Sequence, residues 1–374
     1  MIEHRGFRRL IWVTVVVTLT VIVLGAYVRL SHAGLGCPDW PGCYGHVTWP
    51  TASEDIARAN EAYPQRAVEV PKAWKEMVHR FLAGGLGVIV LALAWIAAGR
   101  ERQARVAVVG AALLAITAIA MYTADVRTAA LLPAAAAMLW PIWAARRLDA
   151  PTSYRFVLAA LGLIIFQALL GKWTVTMQLK PIVVTGHLLG GLSTFALLLW
   201  AALHLNGSPA GRLALARRLA VLALLVLIGQ LFLGGWTSTN YAALACPDFP
   251  TCVGRWWPET NFREAFVLFR EIGVNYEGGI LDATARATIH YTHRIGALVV
   301  LIVYAGLILN LLRDRAGRTL GVALAGALTV QIGLGISNVV YDLPLPVATA
   351  HNGVAAVLLA LTLVVLSQSR RQLR

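Results

Sequence analysis

Ten stretches of the chain stay apolar for long enough to cross a bilayer, with polar clusters between them. They lie near 10–30, 78–98, 106–122, 128–145, 154–171, 183–204, 219–236, 288–312, 319–340 and 346–367. About 20 helical residues cover roughly 30 Å of hydrocarbon, and none of these runs alternates with the period of a strand, so each predicts a spanning helix. The first run is too long for a removed signal segment and has no small-residue cleavage pattern, so it too predicts a spanning helix. The one amphipathic stretch, "EAFVLFREIG" at 264–273, predicts a helix lying on the outer surface as a lid. The fold class expected is an all-α polytopic membrane protein.

The pattern also repeats. "GAYVRLSHAGLGCPDWPGC" ends the first helix, and "GGWTSTNYAALACPDFPTC" ends the seventh, 209 positions later. "EMVHRFLAG", with His79, corresponds to "IHYTHRIGA", with His293. Gln167 precedes His187 by 20 positions, and Gln331 precedes His351 by 20. One interval breaks the match: His79 to His187 is 108 positions, while His293 to His351 is 58. The excess coincides with two Ala/Val/Leu-rich runs at about 104–150, which predict an inserted helical hairpin. Without it each half holds four spans, 1–205 in the first and 206–374 in the second. An even number of spans leaves the two four-helix bundles in the same orientation, as parallel repeats are.

Composition sharpens this picture. Of 374 residues, 58% are hydrophobic and only 13% charged, so most of the chain cannot be a soluble core. The formal charge is +14, and it is distributed unevenly. The segments flanking one side of the spans hold 18 arginines, from Arg5 through Arg146, Arg212 and Arg313 to Arg374, against the four acids Glu3, Glu101, Asp149 and Asp314. That asymmetry predicts a cytoplasmic side carrying both termini. The basic charge is thus explained by topology, and nucleic-acid binding is excluded as a reading. The two cysteine rings fall on the outer side, where thiols oxidise.

Four histidines, His79, His187, His293 and His351, occupy matched places in the repeat, each near the outer end of a span. Ionisable side chains inside a span mark function, and paired imidazoles from different helices of a bundle suit a haem iron held from both faces. Zinc or copper would call for clustered His, Cys or carboxylate ligands. Arg80 and Arg294 follow the first histidine of each half, where a guanidinium suits a haem propionate or simply reaches the headgroups. His32, His46 and His204 read as solvated. Three residues before the histidine, the first half has Glu76 and the second has His290. A carboxylate one helical turn from only one haem implies unequal jobs, with chemistry in the first half; an interfacial ion pair with Lys72 or Lys75 is the alternative. Cys37 with Cys43, and Cys246 with Cys252, read as structural disulfides closing short rings, with a redox-active pair as the alternative.

Together, the Glu-x-x-His-Arg of Glu76 to Arg80, "QALLGKWTV" followed by "VVTGHLLGG", "THRIGA" and the paired outer cysteine loops resemble the haem A synthase family, over about 10–100 and 152–368. The resemblance implies an inner-membrane oxidoreductase that converts the ring methyl of haem O to a formyl group through a hydroxylated intermediate. It implies haem b as cofactor, ligated by His293 and His351. Haem O, the substrate, would sit against His79 and His187 with Glu76 as the catalytic residue. The enzyme that makes haem O, a quinol electron donor and an oligomeric state are the partners to consider. Two other classes compete: an electron-transfer cytochrome b that modifies no haem, and a membrane thiol oxidase working through the cysteine rings. The family's usual eight spans leave the segments at 104–150 as a departure.

Overall fold

The computed structural model describes residues 2–147, 152–205 and 214–369. Asp149, Arg212, Arg370, Arg371 and Arg374, counted above with the cytoplasmic charge, lie outside the described residues.

Among the described residues the chain is helical, with no strand beyond two isolated bridges. The helices are α1 (Ile2–Leu30), α2 (Ser53–Ala62), α3 (Val70–Ala98), α4 (Arg102–Thr123), α5 (Leu131–Arg147) and α6 (Thr152–Thr176), then α7 (Pro181–Leu203), α8 (Ala214–Thr239), α9 (Phe262–Ala265), α10 (Ala283–Arg313), α11 (Arg318–Val340) and α12 (Leu345–Gln368). Nine of the described helices are long and apolar enough to span a membrane. The tenth expected span is α5, which has only 17 residues. At 1.5 Å per residue that is about 26 Å, at the short limit for crossing. Two further expectations change. "EAFVLFREIG" is not a lid helix: α9 covers four residues, and the segment after Ala265 is irregular. Its apolar spacing lacked the length that sustains an isolated helix in water. Helix α3 begins at Val70, eight residues before the apolar run, because polar residues continue it past the hydrocarbon.

Caps set several boundaries. The Asp282 carboxylate accepts from the Ala285 amide (2.7 Å) at the start of α10, satisfying an otherwise orphaned N–H. Pro344 stops the preceding turn, and proline follows in the first turn of α12, where a missing N–H costs nothing. Within each span only 17–44% of the apolar window is buried by protein. The remaining apolar surface is stable only against lipid, so the chain is a multi-pass membrane protein.

The chain divides into two compact units. The first comprises Met1–Val21, Arg80–Leu170 and Gly190–Ser208. In it α4 and α5 pack on each other as a helical hairpin, with the Trp140 ring filling the space beside Gly110. Gly162 of α6 lies against the Met138 carbonyl.

The second unit comprises Ile22–His79, Gly171–Leu189 and Pro209–Arg374. Here α8 packs on α10, α10 on α11, α11 on α12 and α12 on α8, a closed ring of four helices. The parts of α1 from Ile22, of α3 to His79, of α6 from Gly171 and of α7 to Leu189 belong to the same unit. Several bonds tie them to it. Arg29 Nη2 donates to the Ser238 carbonyl (2.7 Å), the Thr185 and Thr239 hydroxyls meet at 3.2 Å, the Tyr276 amide donates to the Gln178 carbonyl (3.0 Å), and Arg66 pairs with Glu277 (2.8 Å).

Candidate functional site

The four histidines all lie in the second unit and are all partly buried. His79 stands nine residues into α3 and His293 ten into α10, while His187 and His351 each stand six into α7 and α12. Each imidazole faces a glycine on the preceding spanning helix. A Cβ on Gly25 of α1 would stand 3.0 Å from His79 Cε1, and one on Gly171 of α6 would stand 3.4 Å from His187 Cε1. One on Gly234 of α8 would lie 3.3 Å from His293 Cε1, and one on Gly335 of α11 would lie 3.1 Å from His351 Cε1. Glycine at these positions lets the helix backbone approach the ring edge, which fixes where the ring sits.

These surroundings fit a haem held between imidazoles. The Nδ1 atoms of His187 and His351 are buried with no protein partner, a costly state for a polar atom unless something else completes it. Among the described residues no three His, Cys, Asp or Glu side chains converge. In the second half, Gln230 Nε2 lies 3.1 Å from His293 Nδ1 and donates to the His293 carbonyl (3.0 Å), and Gln331 Nε2 lies 3.3 Å from His351 Nε2. A glutamine amide at this distance restrains the rotation of the ring beside it. In the first half the place of Gln230 is taken by Val21. Gln167, the match of Gln331, has both amide atoms buried without a partner in the first unit, close against Gly190.

Cys37–Cys43 and Cys246–Cys252 are disulfides, and all four cysteines are fully buried. The two loops share a backbone scheme. Cys43 pairs with His46 as Cys252 pairs with Arg255. Asp39 accepts from the Tyr44 and Gly45 amides (2.6 and 2.8 Å), as Asp248 accepts from Val253 and Gly254 (2.6 and 2.9 Å). The Asp248 carboxylate also accepts from the Thr251 hydroxyl, and chiefly this bond holds it below the usual carboxylate value. Burial pushes the Tyr44 phenol up to about 12, so it stays a neutral donor to the Ala67 carbonyl (3.1 Å).

What differs between the loops is the group beneath each. Glu76 is 5% exposed, and its Oε2 accepts from the Cys37 amide at 2.9 Å. Lys72, considered above as a partner, pairs with the Glu69 carboxylate (2.8 Å), and Lys75 lies over the Tyr27 ring. His290, equally buried, brings Nδ1 to 3.3 Å from the Cys246 amide and accepts at Nε2 from Arg294 Nε (3.2 Å). The first loop therefore rests on a carboxylate and the second on an imidazole. Arg294 also donates from Nη1 to the Asp248 and Thr251 carbonyls (2.8 and 2.7 Å) and from Nη2 to that of Cys246 (2.8 Å). Three of its five N–H groups thus brace the loop and a fourth binds His290, leaving one Nη2 hydrogen. Arg80 is partly buried beside His79 on α3.

The three histidines read as solvated are less free than that. His204 Nδ1 contacts the Trp200 carbonyl at 2.8 Å, and the two rings lie 4.4 Å apart. His32 stacks on Tyr241, and His46 is held by the Cys43 backbone.

Comparison with known proteins settles the family. The family described as cytochrome oxidase assembly protein matches residues 8–124 and 122–363. A haem A synthase of Shewanella oneidensis is 42% identical over 96% of this chain and 94% of its own length. The chain belongs to the haem A synthase family. A member from Rhizorhabdus wittichii is 25% identical over 93% of this chain and 90% of its own, and one from Caulobacter vibrioides is 31% identical over 54% and 59%. Sequence reasoning about this family member found the histidines, Glu76 and the cysteines but missed the four glycines facing the rings. Their signal lay in the repeat, since Gly25 and Gly234 are 209 apart and Gly171 and Gly335 are 164 apart, the offsets of the flanking motifs.

Proposed function

We propose that the protein is a haem A synthase that oxidises the ring methyl of haem O to a formyl group by way of a hydroxylated intermediate. The observation that carries this reading is the inequality of the two histidine pairs in the group that lies beneath each disulfide loop. Both halves have a glycine-backed histidine pair and a disulfide loop, but only the first has a buried carboxylate, Glu76, one helical turn from a ring ligand.

His293 and His351, with Gln230 and Gln331 beside them, would hold haem b, which supplies one-electron transfer when bound. His79 and His187 would hold haem O. Each two-electron oxidation of the methyl carbon would need an external oxidant such as dioxygen and would move protons in a site walled by hydrocarbon, where the Glu76 carboxylate would take up a proton or stabilise positive charge developing at the ring edge. Its bond from the Cys37 amide fixes the carboxylate's orientation, so disulfide and acid act as one structural group. Arg80 and the remaining Nη2 hydrogen of Arg294 would pair with haem carboxylates at the outer end. The arginine-rich side is read as cytoplasmic in the inner membrane, with both termini there and the cysteine loops outside. A quinol as electron donor and handover of haem O from the enzyme that makes it fit that placement.

Extraction and mass identification of the bound haems tests the reading. Haem b together with haem O, its alcohol or haem A is expected. Haem b alone, unchanged when haem O is supplied, would show an electron-transfer cytochrome, and a haem-free active protein would show a thiol oxidase.

A further inference from the structure

Arg29 closes the outer end of α1 in an unusual state for a cation. Its Nη2 donates to the Ser238 carbonyl, its guanidinium carbon lies 4.2 Å over the Tyr241 ring, and its Nε is buried with no partner. Neither a carbonyl nor a ring face neutralises a full charge. The acid nearest in this region, Glu277, is already committed to Arg66 at 2.8 Å. A partly buried guanidinium with no carboxylate in direct contact is costly, and an anion that arrives with a ligand would remove that cost.

Position indicates which anion. Arg29 follows Gly25 by four residues, one helical turn along the same face of α1, about 6 Å outward at 1.5 Å per residue. Gly25 is the glycine against the His79 ring. A haem held by that ring in an apolar bundle turns its carboxylates toward the polar helix ends, where charge costs least to bury. We infer that Arg29 receives a carboxylate of the tetrapyrrole seated against His79, its free Nε–H and second Nη hydrogen supplying the fork. This rests on the haem reading above and adds an anchor on α1 distinct from Arg80 and Arg294. A lipid phosphate in the outer leaflet offers the same oxyanion chemistry and is the competing source.

The test uses full-length protein purified haem-free, its His293/His351 site filled first with one equivalent of haem b, and then titrated with haem O or its dimethyl ester, read by absorbance. Wild type is expected to prefer the free acid by about 10- to 100-fold, the range of a charge-assisted hydrogen bond. Arg29→Gln should lower that preference about tenfold, and Arg29→Lys, which keeps the charge but loses the fork, about threefold; the lysine variant carries the test if the glutamine variant does not fold. In a His79→Ala background Arg29→Gln should change nothing further. Equal preferences in wild type and both variants, with haem still bound, overturn the assignment to Arg29. So does an effect that persists without His79, or loss of co-purifying anionic lipid with the preference intact. Wild type that binds neither form instead sinks the haem reading itself.

Discussion

Replacing Gly25 by Ala sets two known effects against each other. In a helix interior Ala is favoured over Gly by about 1 kcal/mol, so with open space beside it the change would stabilise the protein. At Gly25 the new Cβ would stand 3.0 Å from His79 Cε1, 3.4 Å from Nε2 and 3.7 Å from Nδ1, meeting the whole edge of the ring. A contact between carbons relaxes to about 3.5–4.0 Å, so the ring must shift by roughly half an ångström or more. Overpacking of this kind costs about 1–3 kcal/mol, which outweighs the propensity gain, and the shift falls on the atoms that would ligate iron. The other three positions should follow in the order of their contacts, Gly335 at 3.1 Å, Gly234 at 3.3 Å and Gly171 at 3.4 Å. Gly229 of α8 and Gly333 of α11 are the controls, since a Cβ there meets nothing within 4 Å. The assay is haem per chain by absorbance, with thermal unfolding of each variant. Gly25→Ala and Gly335→Ala should lose haem from their own pocket by about tenfold in affinity, while Gly229→Ala and Gly333→Ala retain it and melt at or above wild type. Equal behaviour of Gly234→Ala and Gly229→Ala, five residues apart on one helix, would refute the reasoning.

Glu76→Gln preserves an oxygen that can accept from the Cys37 amide and removes only the charge. Haem content should stay normal while haem A formation falls about 10²-fold, the scale of a lost acid–base group, and near wild-type formation would end the assignment. Converting Cys37 and Cys43 to Ser opens a ring worth about 2 kcal/mol in chain entropy. Protein yield and haem retention should drop while the folded remainder still turns over, and a fully loaded variant without activity would mean the disulfide is redox-active. Asp248 is held below its ordinary value of 3.8 by the Thr251 hydroxyl and then the backbone amides. Its folded form is thus the more acidic, and its support for the second loop is present above that value and lost as pH falls through and below it. Amide exchange at Val253 and Gly254, corrected for intrinsic rate, should rise on acidification and be raised already at neutral pH in Asp248→Asn; protection unchanged by either would refute the link.

The linear order of residues was enough for the all-α membrane architecture, because a run of apolar side chains leaves the backbone no partner in lipid but itself. It was enough too for the pairing of the cysteines, since each ring is a spacing along one chain, and for the difference between Glu76 and His290. The reach of a helix beyond its apolar run was not legible, as α3 and the short α5 show, because polar residues extend a helix once packing holds it. The lid helix failed for the opposite reason: its spacing was right, but its segment turns back after one helical turn at Ala265. Tertiary structure alone decided who meets whom. Glu76 bonds to an amide 39 residues away, Arg294 to a carbonyl 48 away and Arg29 to one 209 away. Such contacts depend on how helix axes are placed, and a shift of an ångström there makes or breaks a hydrogen bond without altering any pattern in the sequence. The four glycines belong to both accounts: their recurrence was in the sequence, but only packing showed that each one faces a histidine.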